Sequence, residues 1–289
     1  MSFKDSRMKG RQLIIVFFFW VSSATVSGQN FGRYLKENAL QVVKPDSLND
    51  NIYSLLADYK LIMIGEMHGT VEPAKLVIGL AELFAAKGDS VQVGMEIPSS
   101  RMKEYISSKT DSAIFHSDFF SSKAIDGRSS TAWAEIISRL NDNPRIHIFF
   151  YDTNNDYSEK RDSEMAVNIK EQMLEHPSCR TITISGNIHN RISLYDGKKT
   201  MALFLLNDKG LDCEDKLCSI NHYYENGTMM NNFGDGLKLR NAGPVETRYS
   251  RNAPYQNYLL VLSTFYADDY TAVFFTRKVT ASGKLEIKN

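Results

Sequence analysis

The chain has 289 residues, of which 43% are hydrophobic and 24% are charged, a composition typical of globular proteins with a large core. Basic and acidic residues balance at 34 each, so the charge gives no indication of a nucleic-acid or strongly acidic partner. One domain of roughly 250 residues is the expected organisation.

The N-terminus has the order of charges and apolar residues that an export signal needs. Four basic residues precede nine apolar ones, Leu13 to Val21, and small residues follow up to Gly28. Nine apolar residues are too few to span a bilayer, which favours a cleavable signal peptide over a membrane anchor. We therefore predict a signal peptide at residues 1–28 and a periplasmic or secreted product of residues 29–289, without a stable membrane span.

Export would expose the three cysteines to an oxidising environment. Cys213 and Cys218 flank a short polar loop that a disulfide could close. Cys179, at the start of an apolar run, is predicted to be a buried free thiol.

The first elements after the signal are predicted to be helical. Residues 31–58 have the pattern of two amphipathic helices, with a break at Pro45. An unbroken apolar run, Leu61 to Ile64, then predicts a strand buried on both faces, as in parallel sheets that are covered by helices. A helix is predicted from about Glu72 to Lys87, with Pro73 in its first turn.

Strands and helices continue to alternate along the next hundred residues. Strands are predicted over Val91–Met95, Arg145–Tyr151, Thr181–Ser185 and Met201–Leu206, and helices over Thr131–Leu140 and from a cap at Ser158 to about Glu175. This alternation predicts an α/β fold with a mainly parallel central sheet and helices on both faces.

The last third of the chain has a different pattern. Residues 207–257 are polar throughout and are predicted to form a partly ordered insertion or lid within the single α/β domain. Tyr258–Thr264 and Tyr270–Val279 predict two antiparallel strands, which would be added to the sheet.

Polar side chains follow four of the predicted strands, at the carboxyl ends where open α/β sheets bind their ligands. They are Glu66 with His68, then Glu96, then Asp152, and finally Asn187 with His189. These groups could hold a divalent metal, with His68, Glu96 and His189 as ligands. They could equally form a metal-free site, in which a carboxylate orients a histidine that activates water.

Arg161 lies in the first turn of the helix that follows the third of these strands, where the helix dipole disfavours a cation. We therefore expect it to pair with an anionic ligand group or with a carboxylate of the same edge, Asp152, Glu66 or Glu96. The alternative is an exposed ion pair with Glu159 or Asp162.

The motifs at these strand ends resemble those of a known superfamily. Two Gly-x-x-His motifs, Gly65 to His68 and Gly186 to His189, with Glu96 between them, resemble the motifs of the Tiki/TraB group. The first motif, with Gly69 after it, is also similar to the Gly-Glu-x-x-His-Gly of erythromycin esterases, although one residue shorter. The segment from Arg161 to Asn168 resembles a helix that those esterases share with ChaN-like haem-binding proteins.

The resemblance covers roughly residues 58–206 and implies the α/β fold of these groups, with one of three activities. Tiki-type members are implied to be metal-dependent peptidases, the esterases to be hydrolases that act without a metal, and ChaN-like members to bind haem for iron uptake. The cofactor is therefore a divalent metal, haem or none. The 14 tyrosines and 6 histidines offer candidates for a Tyr or His ligand to haem iron.

We predict an exported hydrolase that cleaves a peptide or ester bond in a small-molecule or peptide substrate. His68 and His189 would carry the chemistry or the metal, and Arg161 would secure the carboxylates. Glu66 and Glu96 are candidates for ligand, base or orienting carboxylate, and Asn187 and Asp152 for cofactor binding. The alternative is a haem-binding protein without turnover.

Overall fold

The computed structural model describes residues 30–121, 126–155, 159–211, 213 and 215–284. The predicted signal peptide and the predicted helix cap Ser158 lie outside these residues. Within the described ranges, no helix is both long enough and apolar enough to cross a membrane.

Helices and strands alternate along most of the chain. The first helices are α1 (residues 30–38), α2 (Asp50–Leu56), α3 (Glu72–Ala86), α4 (Lys103–Ser108), α5 (Asp111–His116) and α6 (Asp118–Ser121). The later ones are α7 (Thr131–Leu140), α8 (Glu159–Glu175), α9 (Met201–Leu206) and α10 (Arg248–Arg251). The strands are β1 (Leu40–Gln41), β2 (Leu61–Glu66), β3 (Val91–Pro98), β4 (Ile146–Asp152), β5 (Arg180–Gly186), β6 (Leu217–Asn231), β7 (Lys238–Asn241), β8 (Asn257–Val261) and β9 (Ala272–Val279). Short 3₁₀ turns follow β3 at Ser99–Arg101 and β5 at Asn187–Asn190.

The strands form one mixed sheet. Its order is β1-β8-β9-β6-β2-β5-β3-β4, and β7 pairs with β6 outside this path. The neighbours from β9 to β4 are parallel, whereas β8 is antiparallel to both β9 and β1. The predicted α/β fold, with a mainly parallel sheet and antiparallel strands added near the C-terminus, is therefore confirmed.

Both faces of the sheet are covered by helices. In β2, Ile62 and Ile64 pack in the cluster that includes residues of α3 and α7, while Leu61 and Met63 pack with those of α8 and α9. A strand that is buried on both faces needs apolar side chains at every position, which explains the unbroken apolar run in the sequence. A third apolar cluster joins α1 and α10 to β8 and β9.

The largest departure from the sequence prediction is β6. This strand of 15 residues lies beside β2 in the middle of the sheet, inside the segment that was expected to be an insertion. Because β6 contains many polar residues, the sequence does not show the apolar pattern of a buried strand. Several of these polar side chains are nevertheless buried, and two of them form the following contacts. The Ser219 hydroxyl donates to the Asn190 carbonyl, and His222 Nε2 lies 2.8 Å from the Thr276 hydroxyl.

Two shorter segments also differ from the prediction. Met201–Leu206 is the helix α9 and not a strand, because Thr200 caps it: its hydroxyl accepts a hydrogen bond from the Leu203 amide. A short apolar run does not by itself distinguish a strand from a buried helix. Between α1 and α2, the chain adds the short strand β1, and Asn49 caps α2.

The predicted disulfide between Cys213 and Cys218 is wrong. Both thiols are free and buried, and they pack in different clusters on opposite faces of the sheet. Cys179 is free, as predicted, but only partly buried.

The turn after β2 depends on Gly69. Its φ is +94°, and a Cβ at this position would overlap the carbonyl oxygen of Met230 in β6. The Gly69 carbonyl accepts hydrogen bonds from the amides of Met230 at 3.0 Å and Ser282 at 2.9 Å. The turn that carries His68 is thus packed directly against the backbone of β6.

We expect Gly69→Ala to lower the free energy of unfolding by roughly 3 kcal/mol, because a side chain adds left-handed strain and a clash with backbone. Urea denaturation measures the loss. Gly88→Ala is the matched control, since its φ is +99° but nothing lies within 4 Å of the added Cβ. It should cost only the strain, about 1 kcal/mol. Equal losses in the two variants would contradict the packing argument.

Candidate functional site

The carboxyl ends of β2, β5, β3 and β4 lie side by side at one edge of the sheet. Glu66 is in register with Gly186, and Asp152 with Pro98, just after an irregularity in β3 that contains Glu96. The turn after β5 adds His189 to the same edge. The structure therefore brings together the polar groups that the sequence places at four strand ends.

The buried carboxyl group of Glu66 contacts one ring nitrogen of His68. His68 Nδ1 lies 2.9 Å from Oε1 of Glu66, and the indole Nε1 of Trp133 donates to the same oxygen at 2.9 Å. Oε2 of Glu66 is buried and has no hydrogen-bond partner within the described ranges. The Nδ1 contact fixes the orientation of the imidazole.

The other ring nitrogen of His68, Nε2, has no hydrogen-bond partner among the described residues. Nε2 lies 3.9 Å from Oε2 of Glu96, beyond hydrogen-bonding distance, and the described residues give it no other polar partner. Burial alone would lower the pKa of His68. The hydrogen bond to Glu66 and the negative charges of Glu96 and Glu66 outweigh burial, so the pKa lies above its ordinary value. His68 therefore has the features of a base.

Glu96 is the centre of a buried ionic cluster. Its Oε1 accepts hydrogen bonds from Nη2 of Arg161 at 2.7 Å and from Nη1 of Arg128 at 2.8 Å, and its Oε2 accepts one from the Gly186 amide at 2.7 Å. Burial would raise the pKa of Glu96, but the surrounding positive charge, first that of Arg128, holds this pKa well below its ordinary value. Glu96 is therefore a stable carboxylate.

Arg161 connects this cluster to His189. It donates from Nε and Nη2 to the two oxygens of Asp152, at 2.8 Å and 2.7 Å, and its Nη1 lies 3.2 Å from Nε2 of His189. The expectation that Arg161 pairs with a carboxylate of the strand edge is therefore confirmed. Its partners are Asp152 and Glu96 together, and the guanidinium is buried.

Both ring nitrogens of His189 are occupied by the protein. Nδ1 lies 2.6 Å from Oδ1 of Asp162, which also accepts a hydrogen bond from the Met201 amide. Because a guanidinium can only donate, the contact with Arg161 assigns the ring proton to Nδ1 and leaves Nε2 as the acceptor. The two histidines, which the motifs make equivalent, thus differ in structure.

Sequence reasoning missed Arg128 and Trp133 as members of the site. Arg128 comes from a polar loop with no motif, donates to Asp126 from Nε and Nη2, and reaches Glu96, 32 positions away. Trp133 lies in the predicted helix Thr131–Leu140, and no motif marks it as part of the site. Asp162 was predicted only as an exposed ion-pair partner of Arg161. Its position next to Arg161 in the motif is the sequence signal that could have identified it as a residue of the site.

A cleft of about 340 Å³ opens above His68. Glu66, His68, Gly186 and His189 line it, and a hairpin around Asp196 and the residues of the turn after β5, Asn187 included, contribute its walls. Asp152, predicted to bind a cofactor, is instead buried with Glu96 and Arg161 and does not line the cleft.

The predicted metal site at His68, Glu96 and His189 is not supported by this geometry. In the part of the chain that the structure describes, no group of three or more His, Cys, Asp or Glu side chains is arranged to hold a metal ion. The donor atoms themselves explain why. Both Glu96 oxygens accept hydrogen bonds from N–H groups, and Nε2 of His189 faces the guanidinium of Arg161, where a second cation would be repelled.

Fold and site together define an α/β protein with a histidine–carboxylate cleft at the carboxyl ends of its parallel strands. No protein-family model matches the sequence, and no curated protein matches it. Solved structures share the fold. A succinoglycan biosynthesis protein superposes with a TM-score of 0.65 at 12% identity, over 89% of this chain and 98% of its own.

Two further structures extend this similarity. A protein from Bacillus cereus gives a TM-score of 0.60 at 9% identity, over 90% of this chain and 99% of its own. A mutant of the erythromycin esterase EreC in its open conformation gives 0.56 at 12% identity, over 85% and 97%. The chain therefore has an erythromycin-esterase-like fold, as the motifs indicated, and the likeness extends well beyond residues 58–206.

Proposed function

We propose that this chain is a hydrolase in which His68 acts as the general base that activates water. The observation that carries the proposal is the state of its two ring nitrogens. Nδ1 is fixed by the buried Glu66, while Nε2 has no hydrogen-bond partner among the described residues, and His68 lines the cleft. A general base needs one nitrogen that is held and one that is free to take a proton.

The neighbouring groups support this role. A proton taken up at Nε2 gives an imidazolium, which Glu66 stabilises at Nδ1 and Glu96 stabilises through its negative charge. His189 is a positioning residue, because it joins Asp162 to Arg161 and so helps to hold Glu96 in place. Of the two bond types predicted, we propose the ester, since a similar fold occurs in an erythromycin esterase.

The test is turnover of a panel of simple esters and lactones by the purified chain, before and after dialysis against a metal chelator. The base is a side chain that needs no ion to orient it, so we expect ester hydrolysis with a rate that the chelator leaves unchanged. Amide analogues of the same acids serve as the control for bond type. Failure to hydrolyse any ester, or a rate lost to the chelator and restored by zinc, would contradict the proposal.

Haem binding without turnover is the competing function. His68 Nε2 and the phenol of Tyr195 both border the cleft and are groups that can ligate haem iron. A saturable Soret band at one hemin per chain, lost in Tyr195→Phe, would favour this alternative over the hydrolase.

We also propose that the chain is exported, on the basis of the basic and then apolar pattern before Gly28. N-terminal sequencing of periplasmic or secreted material should begin near Gln29. Recovery of the chain from the cytoplasm with Met1 intact would contradict export.

A further inference from the structure

One wall of the cleft is a tight hairpin, here called the cleft hairpin, formed by residues 193–200. Tyr195 and Lys198 exchange two backbone hydrogen bonds, of 2.9 Å and 3.0 Å. Between them, Asp196 and Gly197 have φ values of +50° and +74°. Two consecutive residues with positive φ are typical of the type I′ turn, which connects paired strands rigidly.

The cleft hairpin is fixed to the catalytic edge of the sheet. The Lys199 amide donates to Glu159 at 3.1 Å, and the amide of Met201, the residue that follows the hairpin, donates to Asp162 at 3.0 Å. The Thr200 hydroxyl donates to the carbonyl of Arg191. Because Asp162 also holds His189, the hairpin has a defined position relative to the floor of the cleft.

Tyr195 and Lys198 are directly paired, so their side chains project from the same face of the hairpin. Both residues line the cleft, and the guanidinium of Arg191 lies over the Tyr195 ring, 5.5 Å from the ring centre. Lys199 also lines the cleft, but its Nζ lies over the ring of Phe204, 5.6 Å from the ring centre.

Lys198 is an unused cation in this wall. Among the described residues, its Nζ makes neither a hydrogen bond nor an ion pair. Only the backbone of Lys198 forms hydrogen bonds there. The neighbouring acids Glu159 and Asp162 already accept hydrogen bonds from backbone amides. The face directed at a ligand therefore offers one aromatic ring and one ammonium group.

We propose that Lys198 makes the cleft selective for substrates that carry a carboxylate beside an apolar segment, with the apolar segment packed on Tyr195. The proposal deepens the proposed hydrolase function, because it names the class of ester that the cleft takes. The recognition itself requires no turnover, and a ligand without an ester bond tests it.

The experiment compares binding of octanoate and octanamide, which have the same chain length and differ in charge, by calorimetry at low salt. We expect the wild-type chain to bind octanoate roughly fivefold more tightly, the effect of one ion pair in a half-open cleft. Lys198→Gln should remove this preference and Lys198→Arg should keep it. The preference should also weaken as sodium chloride is added.

Lys209→Gln is the matched control. It removes the same charge from an exposed lysine that does not line the cleft. The preference for octanoate should persist in this variant. Equal binding of the two probes by the wild type, binding of neither, or an unchanged preference in Lys198→Gln would overturn the proposal. A chain that prefers octanoate but hydrolyses no ester would refute the hydrolase and leave the carboxylate selectivity standing.

Discussion

Glu96→Ala is expected to lower the free energy of unfolding by about 3–5 kcal/mol, which corresponds to a fall of roughly 10 °C in the thermal midpoint. The carboxylate is fully buried and is shared by the guanidinium groups of Arg161 and Arg128. Removing it leaves the buried Arg161 and the partly buried Arg128 with one fewer counter-charge, and the Gly186 amide without its acceptor. Thermal and urea unfolding monitored by circular dichroism measure the loss.

Glu37→Ala is the matched control for this experiment. Glu37 pairs with Arg33 at 2.8 Å, but the two side chains are 57% and 80% exposed, so water screens the pair. Its removal should change stability by less than about 0.5 kcal/mol. If Glu96→Ala were no more costly than Glu37→Ala, the ionic cluster would not be a stabilising element of the fold.

The same cluster predicts how stability depends on pH. The pKa of Glu96 is lower in the folded chain than its ordinary value of about 4.3, so the folded state binds this proton less readily than the unfolded chain does. The contribution of Glu96 is therefore fully present above pH ~4.3 and is lost as the pH falls below it. Glu96→Gln should flatten this acid-side loss when unfolding is measured between pH 3 and pH 6.

His68→Ala is expected to reduce ester hydrolysis by roughly 10²–10⁴-fold, because it removes the proposed general base. The fold should be little affected, since Trp133 still donates to Glu66 in this variant. In the wild type the rate should rise with pH through a pKa above the ordinary histidine value of about 6.5. Steady-state kinetics across pH, with unfolding measured on the same samples, tests both statements.

His189→Ala provides the comparison. It removes the acceptor for Arg161 and the donor to Asp162, so we expect it to reduce stability as well as rate. His116→Ala, an exposed histidine at the end of α5, is the control and should change neither. Equal losses of rate from His68→Ala and His189→Ala, without loss of stability, would mean that the two rings share one task, as a common metal ion would require.

The group of polar residues at the strand ends was predictable because it depends on local patterns. Each parallel strand is an apolar run with a polar residue at its carboxyl end, and parallel strands present those ends together. Glu66, His68, Glu96 and His189 follow from that rule alone. The difference between the two histidines does not, because it depends on which groups approach the second ring nitrogen, and both Arg161 and Asp162 come from another element.

The features that were missed depend on contacts between distant parts of the chain. β6 is a central strand whose buried polar side chains form hydrogen bonds with Asn190 and Thr276. A hydropathy pattern predicts such polar side chains to be exposed. Arg128 lies in a loop without a motif, and only the folded structure shows that it contacts Glu96. The cysteines illustrate the reverse case: Cys213 and Cys218 are close in sequence, but they pack in clusters on opposite faces of the sheet.

Trp133 gives the site an optical reporter of its own. The sequence has two tryptophans, Trp20 and Trp133, and cleavage after Gly28 would remove the first. The indole of Trp133 donates to Glu66, and its ring centre lies 6.1 Å from that of His68. If the proposed signal peptide is removed, Trp133 is the only tryptophan left. Selective excitation of tryptophan then reports on the Glu66–His68 pair, so occupancy of the cleft can be followed by fluorescence without labelling.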